Sequence, residues 1–259
     1  MIEEPYRWVE AIANRREYIE TQLASGSPIA AIGYAEGILF VTVGRARQKI
    51  FEIYDRIAMG AIGHPGDIER LRMAAIELAS TEGFTRSAAD VSLRRLAHYS
   101  LSPVMKAAFE QIYGAPYLAR LLFAEVGTRA EEDLFLRVEY DGAIATNGSG
   151  SSELRHHFAA LSATRSSTES METFLKSALP GDGTLEGTIN AAIDAWSVGQ
   201  MTLSEETARQ MPDRAAITKH REEQLATAGI EAAILERHGR TPIRYRSLAD
   251  DEVRKALRA

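Results

Sequence analysis

The chemistry-bearing side chains are few and widely spaced. Six histidines occur, His64, His98, His156, His157, His220 and His238, and none has the i, i+4 spacing of a helical zinc motif. His156 and His157, as neighbours on a strand, would point to opposite faces, which argues against joint ligation. There is no cysteine, so disulfides, thiol catalysis and cysteine-ligated zinc or iron–sulfur centres are excluded. Gly181-Asp182-Gly183 lacks the preceding strand and third glycine of a dinucleotide loop and reads as a turn. The pairs Arg15-Arg16 and Arg94-Arg95 fit solvated helix faces or intersubunit ion pairs better than nucleic-acid contacts. Lys49, just ahead of an apolar run, reads by itself as an ordinary surface lysine at a strand start. Neither a metal nor a cofactor is expected.

The elements that would position any site centre on the stretch from Gly26 to Gly66. Ile29 to Tyr34 is apolar on both alternations, the mark of a strand covered on both faces. Ala35-Glu36-Gly37 is a turn, and Ile38 to Val43 is a second apolar run rich in β-branched and aromatic residues. Ile50 to Tyr54 and Arg56 to Ile62 form another pair. His64-Pro65-Gly66-Asp67 then opens a helix. Two adjacent hairpins feeding a long helix suggest a sheet layer with helices packed on it.

Before this core, Pro5 to Leu23 reads as an amphipathic helix with Trp8, Ile12, Ile19 and Leu23 on one face and Val9 beside them. It suits a helix packed on the core and a subunit contact equally well. After the core, Asp67 to Thr81 is expected to be helical, with Ile68, Leu71, Ala75 and Leu78 in one stripe and Gly83 as its C-terminal cap. Ser87 to Tyr113 is expected as a second long helix with a break near Pro103; Met105, Ala108, Phe109 and Ile112 form its inner stripe. Tyr117 to Val126 and Leu134 to Tyr140 are strands, Asp141-Gly142 a turn and Thr146 to Ser152 a loop. A short strand is expected from His157 to Leu161, then helices from Ser167 to Ala178 and from Thr184 to Val198. Met201 to Thr227 is polar and reads as an exposed excursion with some helix. Ile230 to Arg237 and Ile243 to Arg246 are the last strands, and Leu248 to Leu257 is a charged terminal helix. This order fits an α+β fold in which two sheets lie between two helical layers. No repeat or linker divides it, so one domain over residues 1–259 is expected, comprising an N-terminal segment (1–25), a variable excursion (201–228) and a C-terminal helix (247–259).

The 259 residues are 45% hydrophobic and 25% charged, with a formal net charge of −6. Disordered and collagen-like classes are excluded, and general attraction to nucleic acid is not expected. No apolar run reaches the roughly 18 to 20 residues needed to span a membrane. The opening MIEEPYRWVE lacks a signal-peptide core, so a cytoplasmic location is the expectation.

Several segments resemble the proteasome family, and within it the bacterial α-type subunits. Tyr113-Gly114-Ala115-Pro116-Tyr117 with the following LARLLFAEVG, then LFLRVEYDG from Leu134, PIRYRSLADDEVRKAL from Pro242, and the short Gln48-Lys49-Ile50 before the third strand all carry the likeness. So does the helix ahead of the first strand, which separates α-type from β-type subunits. The resemblance implies the four-layer αββα sandwich of the N-terminal nucleophile hydrolases. It also implies a non-catalytic subunit of a bacterial 20S proteasome in a seven-membered homo-oligomeric ring. Such a ring would stack on proteolytic β subunits, gate the entry of protein substrates and dock a ring-shaped AAA ATPase activator.

The family's catalytic nucleophile is an N-terminal threonine that uses its own amine as base. Ser27 holds that position here, inside the chain, and the supporting aspartate position falls on Val43. The family's lysine falls on Lys49, which in α-type subunits receives an activator's terminal carboxylate between neighbouring subunits, with Gly26 and Gly63 as the accompanying glycines. An ammonium pairs well with a terminal carboxylate, and glycines allow backbone amides to approach it. The gate maps onto Met1, Ile2, Glu3, Glu4, Pro5, Tyr6 and Arg7, although the archaeal and eukaryotic Tyr-Asp-Arg is missing and only Tyr6-Arg7 remains. Two alternatives stay open: a self-compartmentalising hydrolase activated by cleavage before Ser27, and a non-proteasomal scaffold of the same fold.

Overall fold

In the computed structural model, which describes residues 5–44, 48–111, 113–147, 157–179 and 183–257, helix α1 (Pro5–Leu23) precedes strands β1 (Ile29–Tyr34), β2 (Gly37–Gly44), β3 (Ile50–Tyr54) and β4 (Ile57–Gly63). Next come α2 (Pro65–Thr85), a short 3-10 turn, α3 (Leu93–Leu96), a π-helical turn (Ala97–Leu101) and α4 (Ser102–Glu110). Strands β5 (Ala119–Glu125), β6 (Leu134–Val138), β7 (Ile144–Asn147) and β8 (Phe158–Leu161) lead to helices α5 (Arg165–Ala178), α6 (Leu185–Met201), α7 (Glu205–Ala208) and α8 (Arg214–Leu225). The chain continues through β9 (Gly229–Glu236) and β10 (Tyr245–Ser247) to α9 (Asp250–Ala256).

The strands form two antiparallel five-stranded sheets, ordered β10-β9-β2-β1-β8 and β3-β4-β5-β6-β7. Both alternations of the early strands are apolar because each sheet is covered on both faces. Ile29, Ala31, Ile38 and Phe40 point between the sheets, where they meet Ala58, Ile62, Leu122 and Phe135. Ala30, Ile32, Leu39 and Val41 face the other way, onto α5, α6 and α9. On the opposite side Met59, Ala61, Leu121 and Phe123 pack under α2, α3 and α4. The result is a four-layer αββα sandwich with an additional N-terminal helix. Full burial of a side chain such as Phe40 stabilises it by roughly 1.5–3 kcal/mol.

The two early hairpins do not share a sheet: β1–β2 belongs to one and β3–β4 to the other, so the chain crosses between layers around Lys49. Helix α1 is docked mainly through its C-terminal half, with Ile12 packed at the edge of the same cluster. Ile19 and Leu23 are buried against Phe109 and Tyr140, whereas Trp8 and Val9 are 41% and 67% exposed.

Three expectations need correction. Helix α2 runs past Gly83 to Thr85; Gly83 is an internal position where a Cβ would sit 2.1 Å from the Tyr54 hydroxyl, so packing and not capping calls for glycine. The long helix expected over 87–113 is instead a 3-10 turn, a short helix, a π turn and α4, and the irregularity precedes Pro103, which fits the first turn of α4. The Gly/Ser tract expected as a loop from Thr146 begins inside β7, whose partner is β6. The polar excursion after Met201 carries the helix expected of it, as α7 and α8, and α8 is anchored on α6 by Arg221, which bonds Asp194 at 2.9 Å and Asn190 at 2.5 Å.

Candidate docking site

Lys49 stands at the first turn of chain into β3, directly after the crossing between sheets. It lines a cleft of about 390 Å³ together with Gly26 and Gly63. The walls are the C-terminal end of α1, the starts of β3 and α2, and the end of β4. Folding therefore brings together three residues that lie far apart in sequence. The ammonium has one acceptor among the described residues, the Ser27 carbonyl at a long 3.5 Å, and forms no ion pair among them. Burial holds Lys49 below the usual lysine value, and the nearby Glu231 carboxylate partly offsets this. Across the cleft, the Glu69 carboxylate is held by Arg72 at 2.8 and 2.7 Å.

The two glycines have packing reasons of their own. Gly63 adopts φ +141°, and a Cβ there would sit 2.0 Å from the Leu118 carbonyl oxygen. A Cβ on Gly26 would lie 2.1 Å from the Ile62 side chain. The Gly26 N–H donates to the Leu23 carbonyl at 2.9 Å, closing α1, and is not free to meet a ligand. Both glycines leave room in the cleft wall, and the charge comes from Lys49. Of the residues assigned to the gate, Met1 to Glu4 lie outside the described residues, as do the side chains of Pro5, Tyr6 and Arg7. His156 likewise lies outside them.

On the other side of Lys49 is a second, open cleft lined by Ser27, Thr42 and Glu231. Ser27 lies two residues ahead of β1, with peptide bonds on both sides. Its hydroxyl donates to the Val43 carbonyl at 2.6 Å and accepts from the Trp196 indole N–H at 2.8 Å. No imidazole or carboxylate is its hydrogen-bond partner among the described residues. Those residues also contain no cluster of three or more metal-ligating side chains and no helix long and apolar enough to cross a membrane.

Glu231 is the site residue that sequence reasoning did not single out. Its carboxylate accepts from the Lys49 N–H at 3.0 Å to each oxygen and from the Ile50 N–H at 2.9 Å. Nothing local marks it, since its partners lie 182 and 181 residues away.

The two five-stranded sheets between helical layers, with a helix ahead of the first strand, define the fold as the α+β sandwich of the proteasome, N-terminal nucleophile hydrolase type. Among known proteins, it is 34% identical over 145 residues to a proteasome subunit alpha of Kineococcus radiotolerans, covering 52% of this chain and 57% of that one. With the proteasome subunit alpha of Nocardioides sp. the identity is 36% over 138 residues, 52% and 54% of the two chains. These alignments span little more than half the length of those relatives. With that of Actinosynnema mirum it is 30% over 230 residues, 88% of this chain and 77% of the relative. No family model matches. The chain belongs to the bacterial proteasome α-subunit family.

Proposed function

We propose that this chain is a non-catalytic α-type subunit that forms the outer, seven-membered ring of a bacterial proteasome. It stacks on proteolytic β subunits, restricts entry of protein substrates with residues Met1 to Arg7, and docks a ring-shaped AAA ATPase through the Lys49 cleft. The place of action is the cytoplasm. The observation that carries the reading is the half-buried Lys49 ammonium, unpaired among the described residues, on the wall of a cleft large enough for a peptide end. A terminal carboxylate is the group such a cation lacks. The half of α1 that leaves Trp8 and Val9 exposed suits contact with a neighbouring copy in the ring. Against hydrolysis, Ser27 has no free amine, and its hydroxyl proton is committed to the Val43 carbonyl.

The test is Lys49→Ala in the particle assembled with its β partner. Removing one member of a shielded carboxylate pair costs roughly 2–3 kcal/mol per site, and simultaneous engagement of several tails compounds the loss. ATPase binding and ATPase-stimulated protein degradation are expected to disappear while the particle still assembles. Wild-type stimulation in this variant would remove Lys49 from the docking site. Lys49→Arg is expected to rescue only in part, because a planar guanidinium does not replace a compact ammonium.

A further inference from the structure

The backbone on which Lys49 stands is held by a single side chain from the other sheet. Glu231, on β9, reaches across the sandwich and accepts three hydrogen bonds from the consecutive N–H groups of Lys49 and Ile50. A carboxylate that receives two adjacent backbone N–H groups fixes the orientation of that peptide. These donors start β3, the segment immediately after the crossing between sheets. The Ile50 carbonyl is fixed from the same side, by the Tyr245 hydroxyl of β10 at 3.2 Å.

We infer that Glu231 is a positioning residue for the Lys49 cleft: its carboxylate sets where the Lys49 ammonium stands and leaves it uncommitted for an incoming carboxylate. The inference rests on the docking reading only for the identity of the incoming group. Two features support it. The Glu231 oxygens spend their acceptor capacity on the backbone and form no ion pair with the ammonium, so the charge favours Lys49-H⁺ without occupying it. Glu231 also lines the cleft on the Ser27 side and not the one that holds the two glycines, so a ligand in the latter would meet Lys49 without meeting the carboxylate.

The charge balance around Lys49 favours this division of labour. Burial lowers the lysine, and Glu231 opposes that. Burial raises Glu231, and the N–H groups of Ile50 and Lys49 and then the Lys49 charge pull it back. The other charged group facing the cleft, Glu69 on α2, is tied to Arg72. The wall residues at the end of α1 and just beyond it, Gln22, Leu23 and Ser25, carry no charge.

The sign follows directly. Loss of the Glu231 charge leaves burial unopposed, so Lys49 gives up its proton at lower pH. The experiment is competitive acetylation of the full chain with acetic anhydride across a pH series, reading Lys49 by peptide mass spectrometry. In parallel, amide hydrogen exchange is followed at Lys49 and Ile50. Glu231→Gln is the main variant, because it is isosteric, keeps one acceptor oxygen and removes the charge. Its acetylation midpoint is expected at lower pH than wild type, and the two amides are expected to exchange several-fold faster. Glu231→Asp, which retains the charge, should bring the midpoint back toward wild type. A Glu231→Gln profile superimposable on wild type overturns the inference, whatever happens to docking. Lys49→Ala reports on docking separately. If that variant binds the ring ATPase like wild type while Glu231→Gln still shifts the profile, the docking reading fails and the positioning role stands.

Discussion

At the scale of single residues, the cleft depends on positions where the backbone, and not only the side chain, restricts what fits. Gly63 combines a positive φ with a carbonyl in the space of any Cβ. Gly63→Ala should therefore destabilise the chain by about 2 kcal/mol or more, the sum of backbone strain and a displaced β4–β5 pairing. A urea-denaturation midpoint indistinguishable from wild type would show that the strand edge yields at little cost. Lys49→Ala should instead change stability by less than about 1 kcal/mol, because the side chain is half-buried at a strand start and makes one long hydrogen bond. The two substitutions on one cleft thus separate a residue needed for folding from one available for binding. Lys49, Gly26 and Gly63 could be picked out from the sequence only through the family resemblance. By composition Lys49 is one of five scattered lysines, and Glu231 carries no signal at all, because its function depends on a contact between two sheets.

At the scale of elements, the strands were the most legible part. A strand buried on both faces has to be apolar on both alternations, and β1, β2 and β4 are. What the sequence hid were features decided by tertiary contact. Strand β7 is short, leads into a Gly/Ser tract and is recognisable only from its pairing with β6. The π turn ahead of α4 keeps Leu96, Ala97 and Leu101 buried in one core, something helical periodicity does not anticipate. The seat of α1 was equally hidden. Arg120 on β5 is 4% exposed; it bonds both Glu20 oxygens at 2.7 and 2.8 Å and lies 2.9 Å from Glu139. Its second nitrogen donates to the Ala163 carbonyl at 2.6 Å, and Tyr140 donates to Glu20 at 2.8 Å. From α1, Arg15 donates to the carbonyls of Phe109 at the end of α4 and of Gln111 and Gly114 just beyond it. Arg120→Met should cost about 2–3 kcal/mol, because it leaves the partly buried Glu139 carboxylate without the partner 2.9 Å away. The loss should appear first as faster hydrogen exchange along the second half of α1. Unchanged exchange there would mean that Ile19 and Leu23 alone hold the helix.

At the scale of the whole molecule, Trp8 and Val9 are exposed near the start of α1 and the Lys49 cleft lies at its other end, so the proposed gating and docking would work at opposite ends of one helix. Deleting Met1 to Glu4 should raise entry of peptides into the assembled particle without altering the β active sites, since chain ends ahead of a helix are easily shifted. Wild-type rates for short and long substrates alike would show that these residues do not restrict entry. Underlying both activities is the claim that this chain works as an uncleaved ring subunit and not as a self-activated hydrolase. Native mass spectrometry of the chain co-expressed with its β subunit, followed by the intact mass of each released polypeptide, tests this most directly. Outer rings of seven copies of the 28.5 kDa chain are expected, each uncut before Ser27. A chain that begins at Ser27, or that stays monomeric beside an assembled β ring, would contradict it.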